Sequence, residues 1–147
     1  MIANYSDENT IKGGCFSDPR GTLRFVNDFH FEGIKRFYTI QHPDIEVIRA
    51  WQGHKRETKY FFVSRGSFVF NWINIDDWEL PSSNLSVNSK VLSEKDCTVL
   101  IIPPGHVNGF KALEPDSTII VFSDLTLDES KSDDYRFDVE YWRFENR

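Results

Sequence analysis

The chain has 147 residues, 39% of them hydrophobic and 27% charged, with 8 Gly and 6 Pro. That is one domain's length with a sizeable core, and it excludes a disordered, collagen-like or low-complexity chain. Acidic residues outnumber basic ones 23 to 17, and the net charge of −6 excludes a general attraction to nucleic acid or to an anionic membrane surface.

Aromatic residues reach 15%, a supply suited to strands and to the inside of a small barrel. The first ten residues, MIANYSDENT, are polar and lack the apolar stretch of a secretory signal. The longest apolar runs, such as Val99 to Ile102, are far too short to span a bilayer. The expected place is the cytoplasm, with no membrane partner. Cys15 and Cys97 form no CxxC unit and no zinc pattern. One disulfide between them is formally allowed, and two reduced thiols are the expectation for a cytoplasmic protein.

Strand signals then follow one another. Asp18-Pro19-Arg20-Gly21 is a turn, and Leu23 to Val26 reads as the strand after it. Ile34 to Ile40 (IKRFYTI) and Glu46 to Trp51 (EVIRAW) are the next two. Lys59 to Ser64, a turn at Arg65-Gly66 and Ser67 to Ile75 make the clearest hairpin. In its second arm Phe68, Phe70 and Trp72 share one face, while Val69 and Ile73 share the other with Asn71 between them. Both faces are largely apolar, which predicts packing outside the sheet as well as inside. A polar connection containing Pro81 leads to a weak strand over Val87 to Leu92. Thr98 to Ile102 is strong and closes on Pro103-Pro104-Gly105. Val107 to Leu113 and Thr118 to Ser123 flank a turn at Glu114-Pro115-Asp116. Residues 124–138 are charged and read as a loop or short helix, and 139–147 as a closing strand or tail. No stretch of a dozen residues carries a helical period. The reading is all-β: one domain over 1–147, a sandwich or barrel of jelly-roll type.

Several motifs in this order resemble a known family. They are Asp18-Pro19-Arg20-Gly21, IKRFYTI, Arg49-Ala50-Trp51-Gln52-Gly53-His54-Lys55, Lys59, Ser64-Arg65-Gly66-Ser67 and Ile102-Pro103-Pro104-Gly105-His106-Val107-Asn108. The set is similar to the cupins acting on nucleotide sugars. The nearer resemblance is to dTDP-sugar 3,4-ketoisomerases, the more distant one to dTDP-4-dehydrorhamnose 3,5-epimerase. Val121-Phe122-Ser123-Asp124 and Tyr135-Arg136 extend it to about Asp138. The resemblance implies a cupin (a jelly-roll β-barrel), a homodimer, often with exchanged N-terminal strands, and no metal or other cofactor.

The residues themselves argue against a metal. A metal-binding cupin presents His-x-His and a Glu on one hairpin, with a third His after a Pro-x-Gly turn. The corresponding places here hold Gln52, His54, Lys59 and Asn108, and an ammonium cannot ligate a divalent ion.

The resemblance implies an isomerase or epimerase of a dTDP-type 4-keto-6-deoxysugar, serving surface polysaccharide synthesis. A base removes a proton beside the ketone, and a cation or donor holds the enolate. The family's base stands where this chain has Gln52, and a neutral amide takes no proton at physiological pH. His54, two residues on and about 6.6 Å along the same strand face, is the candidate base. Lys59 is the candidate enolate stabiliser. Arg20 and Arg49 suit a diphosphate. Tyr38 and Trp51 suit stacking on a base or sugar ring. Gln52 and Asn108 suit sugar hydroxyls or the carbonyl.

Plainer readings stand beside these. His54 precedes Lys55 and Arg56, and its plainer reading is an exposed strand end. Lys59 reads as an edge charge. His30 and His42 fall in polar loops and read as solvated, and His106 as a rim residue. Two rival functions remain open: a nucleotide-sugar-binding cupin without a base, and a metal-dependent oxygenase using His54, Glu57 and His106.

Overall fold

The computed structural model describes residues 9–146. Twelve strands and one short helix follow in chain order: β1 Thr10–Lys12, β2 Gly14–Asp18, β3 Gly21–Phe25, β4 Arg36–His42, β5 Ile48–His54, β6 Lys59–Arg65 and β7 Ser67–Asn74. Then come β8 Asn88–Ser93, β9 Thr98–Ile102, β10 His106–Ala112, β11 Ser117–Ser123, helix α1 Leu127–Lys131 and β12 Tyr135–Arg136. One five-stranded sheet has the order β1-β9-β6-β11-β4, and the other β12-β5-β10-β7-β8. Their pairings are antiparallel, and β2 and β3 form a separate hairpin. The two large sheets face each other as a jelly roll, the all-β cupin architecture expected from the motifs.

The period of two on β7 decides what each face buries. Phe68, Phe70 and Trp72 point between the sheets and meet Phe61, Leu100, Phe110, Ile119 and Val121 in the main core. The rings of Phe61, Phe68, Phe70 and Phe110 lie with centroids 5.3–6.0 Å apart, in tilted and edge-on contacts that suit their quadrupoles. Val69 and Ile73 point the other way, into a second core with Trp51, Val107, Trp142 and Phe144. The irregular tail over 137–144 covers that outer face. Trp142 Nε1 donates to Ser82 O at 2.9 Å, and the Tyr141 hydroxyl donates to Pro81 O. Asn71 sits in an otherwise apolar strand because its amide pins this tail. Its Nδ2 donates to Glu145 O at 3.0 Å, and its Oδ1 accepts from Glu145 N at 2.6 Å.

The β6–β7 turn needs glycine. Gly66 has φ +76°, and a Cβ built there would lie 2.1 Å from Ser117 Oγ. Gly66→Ala is expected to cost about 2–4 kcal/mol, the sum of backbone strain and overpacking. A urea denaturation midpoint unchanged from wild type would contradict this account of the turn.

After β11 the chain crosses one end of the barrel. Thr126 opens α1 with a capping box: Thr126 Oγ1 accepts from Glu129 N, and the Glu129 carboxylate accepts from Thr126 N. This cap turns the buried Ser130 hydroxyl inward, onto Glu57.

Candidate functional site

A cavity of about 590 Å³ lies between the two sheets, on the side where β4 edges one sheet and β5 and β12 edge the other. Its polar lining is Tyr38, Arg49, Gln52, Lys59, Asn108 and Arg136. Ile40, Phe61, Phe110 and Phe137 supply apolar wall. Strand parity explains the convergence. On β10, Asn108 and Phe110 share the inward face with Ala112, and Gln52 pairs directly with Asn108. A register shift between Asn108 and Gly109 then places Arg49, rather than Ala50, opposite the inward Phe110. Without that bulge the alternation from Gln52 would send Arg49 outward.

Lys59 lies on β6, between β9 and β11 in the middle of its sheet, so it is no edge charge. It is 5% exposed, and its Nζ donates to Gln52 Oε1 at 3.0 Å. Gln52 in turn donates from Nε2 to Asp134 Oδ1 at 3.1 Å. An ammonium only donates and a carboxylate only accepts, so the two neighbours fix which way the Gln52 amide points. Arg136 holds Asp134 at 2.7 Å and 3.2 Å, and this pairing keeps the Asp134 carboxyl below its usual range, with Gln52 adding to the effect. Lys59 Nζ also lies 5.9 Å from the Tyr38 ring centre, and the Arg36 guanidinium 5.0 Å from it.

His54 is 3% exposed, not a solvated strand end. It is not part of the cavity lining and lies deeper on the same face of β5 as Gln52. Its Nδ1 is 2.6 Å from Asp133 O. A carbonyl only accepts, so Nδ1 carries the proton and Nε2 keeps its lone pair. Burial, and after it the charge of Lys59, pushes the His54 pKa below 6.5 and holds the ring neutral. Nε2 is buried without a hydrogen-bond partner, as is Asn108 Nδ2.

Beneath the ring lies a polar plug. Glu57, 1% exposed, accepts from Ser123 Oγ at 2.5 Å and Ser130 Oγ at 2.8 Å, with its Oε1 3.3 Å from His54 Nδ1. Asp133 accepts from the backbone N–H groups of Lys55, Arg56 and Glu57 at 2.9, 3.0 and 2.9 Å. His54, Glu57 and Asp133 place donor atoms within 4.8 Å of one another. Their carboxylate oxygens already serve hydroxyls and backbone N–H groups, which is the work of a structural cap.

The sequence-predicted residues divide clearly. Tyr38, Arg49, Gln52, Lys59 and Asn108 come together around the cavity. Trp51 borders it, but its ring packs edge-on against Trp142 and its Nε1 donates to Val139 O at 3.2 Å. Arg20 lies apart, at the tip of the β2–β3 hairpin, paired with Asp18 at 2.5 Å. His106 hydrogen-bonds the Pro103 and Pro104 carbonyls, both at 3.1 Å, and is outside the buried cluster. His42 is corrected: it is 4% exposed on β4, stacked on Phe110, not in a polar loop. Arg136, Asp134 and Asp133 were not singled out as site residues; the Tyr135-Arg136 motif was the only signal for any of them.

No protein-family model matches the chain, and no curated protein matches it. Solved structures do. The dTDP-4-dehydrorhamnose 3,5-epimerase of Sulfolobus tokodaii superposes with a TM-score of 0.72 at 23% identity, covering 92% of this chain and 79% of that one. A sugar 3,4-ketoisomerase of Thermoanaerobacterium thermosaccharolyticum in complex with TDP gives 0.67 at 22%, covering 90% and 89%. The TDP-quinovose 3,4-ketoisomerase of Campylobacter jejuni gives 0.66 at 18%, covering 90% and 94%. With an open cavity at the place where the two sheets part, the chain has the cupin fold that these sugar-nucleotide epimerases and ketoisomerases share.

Proposed function

We propose that this protein is an isomerase or epimerase of a nucleotide-linked 4-keto-6-deoxysugar, working by proton abstraction beside the ketone. One observation carries the reading: a buried imidazole on β5 and a buried amide on β10, both with unpartnered polar atoms, lie in one sheet, with the buried ammonium of Lys59 facing them from the other. Each unpartnered buried atom costs about 1–3 kcal/mol, a cost relieved when a ligand supplies the missing partner. Nε2 of His54 lacks a donor and Nδ2 of Asn108 lacks an acceptor. A sugar hydroxyl or an enolisable carbon with its neighbouring oxygen supplies both. The similar structures include epimerases and ketoisomerases of such sugars, which supports the same substrate class.

In this reading the sugar ring enters the cavity and the diphosphate stays at the mouth with Arg49 and Arg136. His54 Nε2, which lies behind the cavity lining, takes the proton beside the ketone once the ring or the substrate moves to bring the two together. Lys59 stabilises the enolate oxygen, held on line by Gln52. Gln52 thereby orients the cation and is not itself the base. Tyr38 offers its ring to the sugar or base.

A homodimer belongs to the same reading. Phe16 and Leu23, directly paired on the β2–β3 hairpin, are 59% and 61% exposed, and Phe31 and Phe37 are 62% and 67% exposed. Such apolar faces suit a second copy. The cytoplasmic setting rests on the sequence reading, and the polysaccharide role on the resemblance alone.

The test is incubation with dTDP-4-keto-6-deoxyglucose in deuterated water. Deuterium is expected to enter beside the ketone, and His54→Ala is expected to lower the rate by about a hundred- to ten-thousandfold. Because burial, and after it the charge of Lys59, lowers the His54 pKa, the acid limb of kcat/KM against pH is expected to lie below that of an ordinary imidazole. No isotope uptake and no isomer across several nucleotide sugars, with tight binding retained, would overturn the enzyme reading.

A further inference from the structure

Cys15 and Cys97 stand far apart in sequence, and the fold brings them side by side. Cys15 pairs with Arg24 across the β2–β3 hairpin, and the next pair is Phe16 with Leu23. Alternation sends Phe16 and Leu23 outward and turns Cys15 and Arg24 toward the barrel. There they meet the turn before β9. Gly13 N donates to Cys97 O at 2.7 Å. Arg24 reaches Glu94 at 3.9 Å. The Cys15 thiol is near enough to act on the Cys97 thiol, and it adds to the rise of the Cys97 pKa that burial causes. Position 13 needs glycine, since a Cβ there would lie 1.9 Å from Phe25 O and 2.8 Å from Cys97 O. Cys97 itself sits at φ +49°, with its Sγ 3.9 Å from Glu94 O. A backbone bond and an ion pair thus tie the start of this hairpin to the turn that carries Cys97.

We propose that Cys15 and Cys97 are a thiol–disulfide site that clamps the β2–β3 hairpin to the barrel under oxidising conditions. Exposure sets the order of events. Cys15 is exposed and Cys97 is buried. The Cys15 thiolate attacks one sulfur of an external disulfide of the glutathione class. That S–S bond breaks, one glutathione thiolate leaves, and Cys15 carries a mixed disulfide. Cys97 loses its proton and attacks Cys15 Sγ, expelling the second glutathione. The protein gives up two electrons and two protons, and the oxidant becomes two glutathione molecules. Burial, which raises the Cys97 thiol pKa, makes this second step the slower one and protects Cys97 from direct attack.

The consequence follows from how the hairpin is held. Among the described residues, β2 and β3 pair only with each other and belong to neither large sheet. The hairpin's tip carries the Asp18–Arg20 pair. A covalent bond at its base fixes an element that otherwise leans on the 94–97 turn through a few polar contacts. The site requires no substrate, so its test is independent of the proposed activity.

The full-length protein is incubated with glutathione disulfide, and free thiols and intact mass are followed. The expected result is loss of both thiols with a net mass change of two hydrogens, no retained glutathione, and reversal by dithiothreitol. A linked peptide pair joining Cys15 and Cys97 is expected after digestion. Cys97→Ser is expected to stop at a stable glutathione adduct on Cys15. Cys15→Ser is expected to leave Cys97 unmodified in the folded protein. Stable adducts on both cysteines of the wild type, or disulfides only between two chains, would overturn the proposal.

Discussion

Lys59→Met is expected to slow deuterium exchange on the keto sugar by about a hundred- to a thousandfold, the usual cost of removing one donor from a developing oxyanion. The same variant is expected to melt no lower than wild type. The reasoning for both halves is electrostatic. Lys59 is 5% exposed on a central strand, and its charged group has one neutral acceptor, Gln52 Oε1, at 3.0 Å. An ammonium carries three donors, so much of its hydrogen-bonding capacity is held for something outside the protein. Burying it in that state is unfavourable to folding, and an apolar side chain of similar length relieves the desolvation cost. A purely structural lysine would behave in the opposite way, with stability falling and exchange preserved. Lys59→Arg separates charge from shape: its planar fork cannot replace a point charge seated on one amide oxygen. It is expected to stay at least about tenfold below wild type. Binding of TDP, whose diphosphate is placed with Arg49 and Arg136, is expected to change little in either variant. Exchange within about threefold of wild type for Lys59→Met would remove Lys59 from the chemistry.

The strands were legible in the sequence because their pattern is local. Phe68, Phe70 and Trp72 alternate with Val69 and Ile73, and that alternation alone identifies two apolar faces and hence two cores. Turn chemistry at Arg65-Gly66 and Glu114-Pro115-Asp116 set the hairpins. Strand limits were less legible. The strand read over Glu46 to Trp51 runs from Ile48 to His54, because pairing with β10 carries it past Trp51. Strands β1 and β2 were not read at all, since Thr10 to Asp18 is short and mostly polar and owes its form to β9 and β3.

The site was legible where motif and parity agree. Gln52, Lys59 and Asn108 converge because each occupies an inward position on a regular strand. Arg49 arrives inward through a bulge that no local pattern announces. The depth of His54 was hidden for another reason. Lys55 and Arg56 beside it are exposed, so the local sequence reads as surface. What buries His54 is the segment from 124 to 135, which returns far along the chain and sets Asp133 against it, 79 residues on. His42 was misread likewise: Pro43 and Asp44 suggest a loop, and only the pairing with Ser117 puts its ring in the core.

That returning segment carries the largest expected effect on stability. Asp133→Ala is expected to destabilise the protein by about 3–5 kcal/mol, read as a lowered urea midpoint with an unchanged slope. Asp133 is 1% exposed, and its two carboxylate oxygens satisfy three consecutive backbone N–H groups, those of Lys55, Arg56 and Glu57. Alanine leaves three donors without their acceptor in a turn covered by α1 and its flanks, and each such bond to a charged group contributes about 1.5–3 kcal/mol. Partial entry of water limits the total to less than the sum. Asp133→Asn keeps one acceptor oxygen and turns an NH2 group toward the remaining donors, so about half the loss is expected. The functional consequence follows from the same turn. It joins His54 at the end of β5 to Lys59 at the start of β6, so slack there displaces base and cation together. Exchange activity in Asp133→Asn is therefore expected to fall further than TDP affinity, with His54 losing its Nδ1 acceptor at Asp133 O as the loop shifts. A destabilisation of Asp133→Ala below about 1 kcal/mol would show that water serves those N–H groups as well as the carboxylate does, and the plug beneath His54 would then not be what holds the imidazole in place.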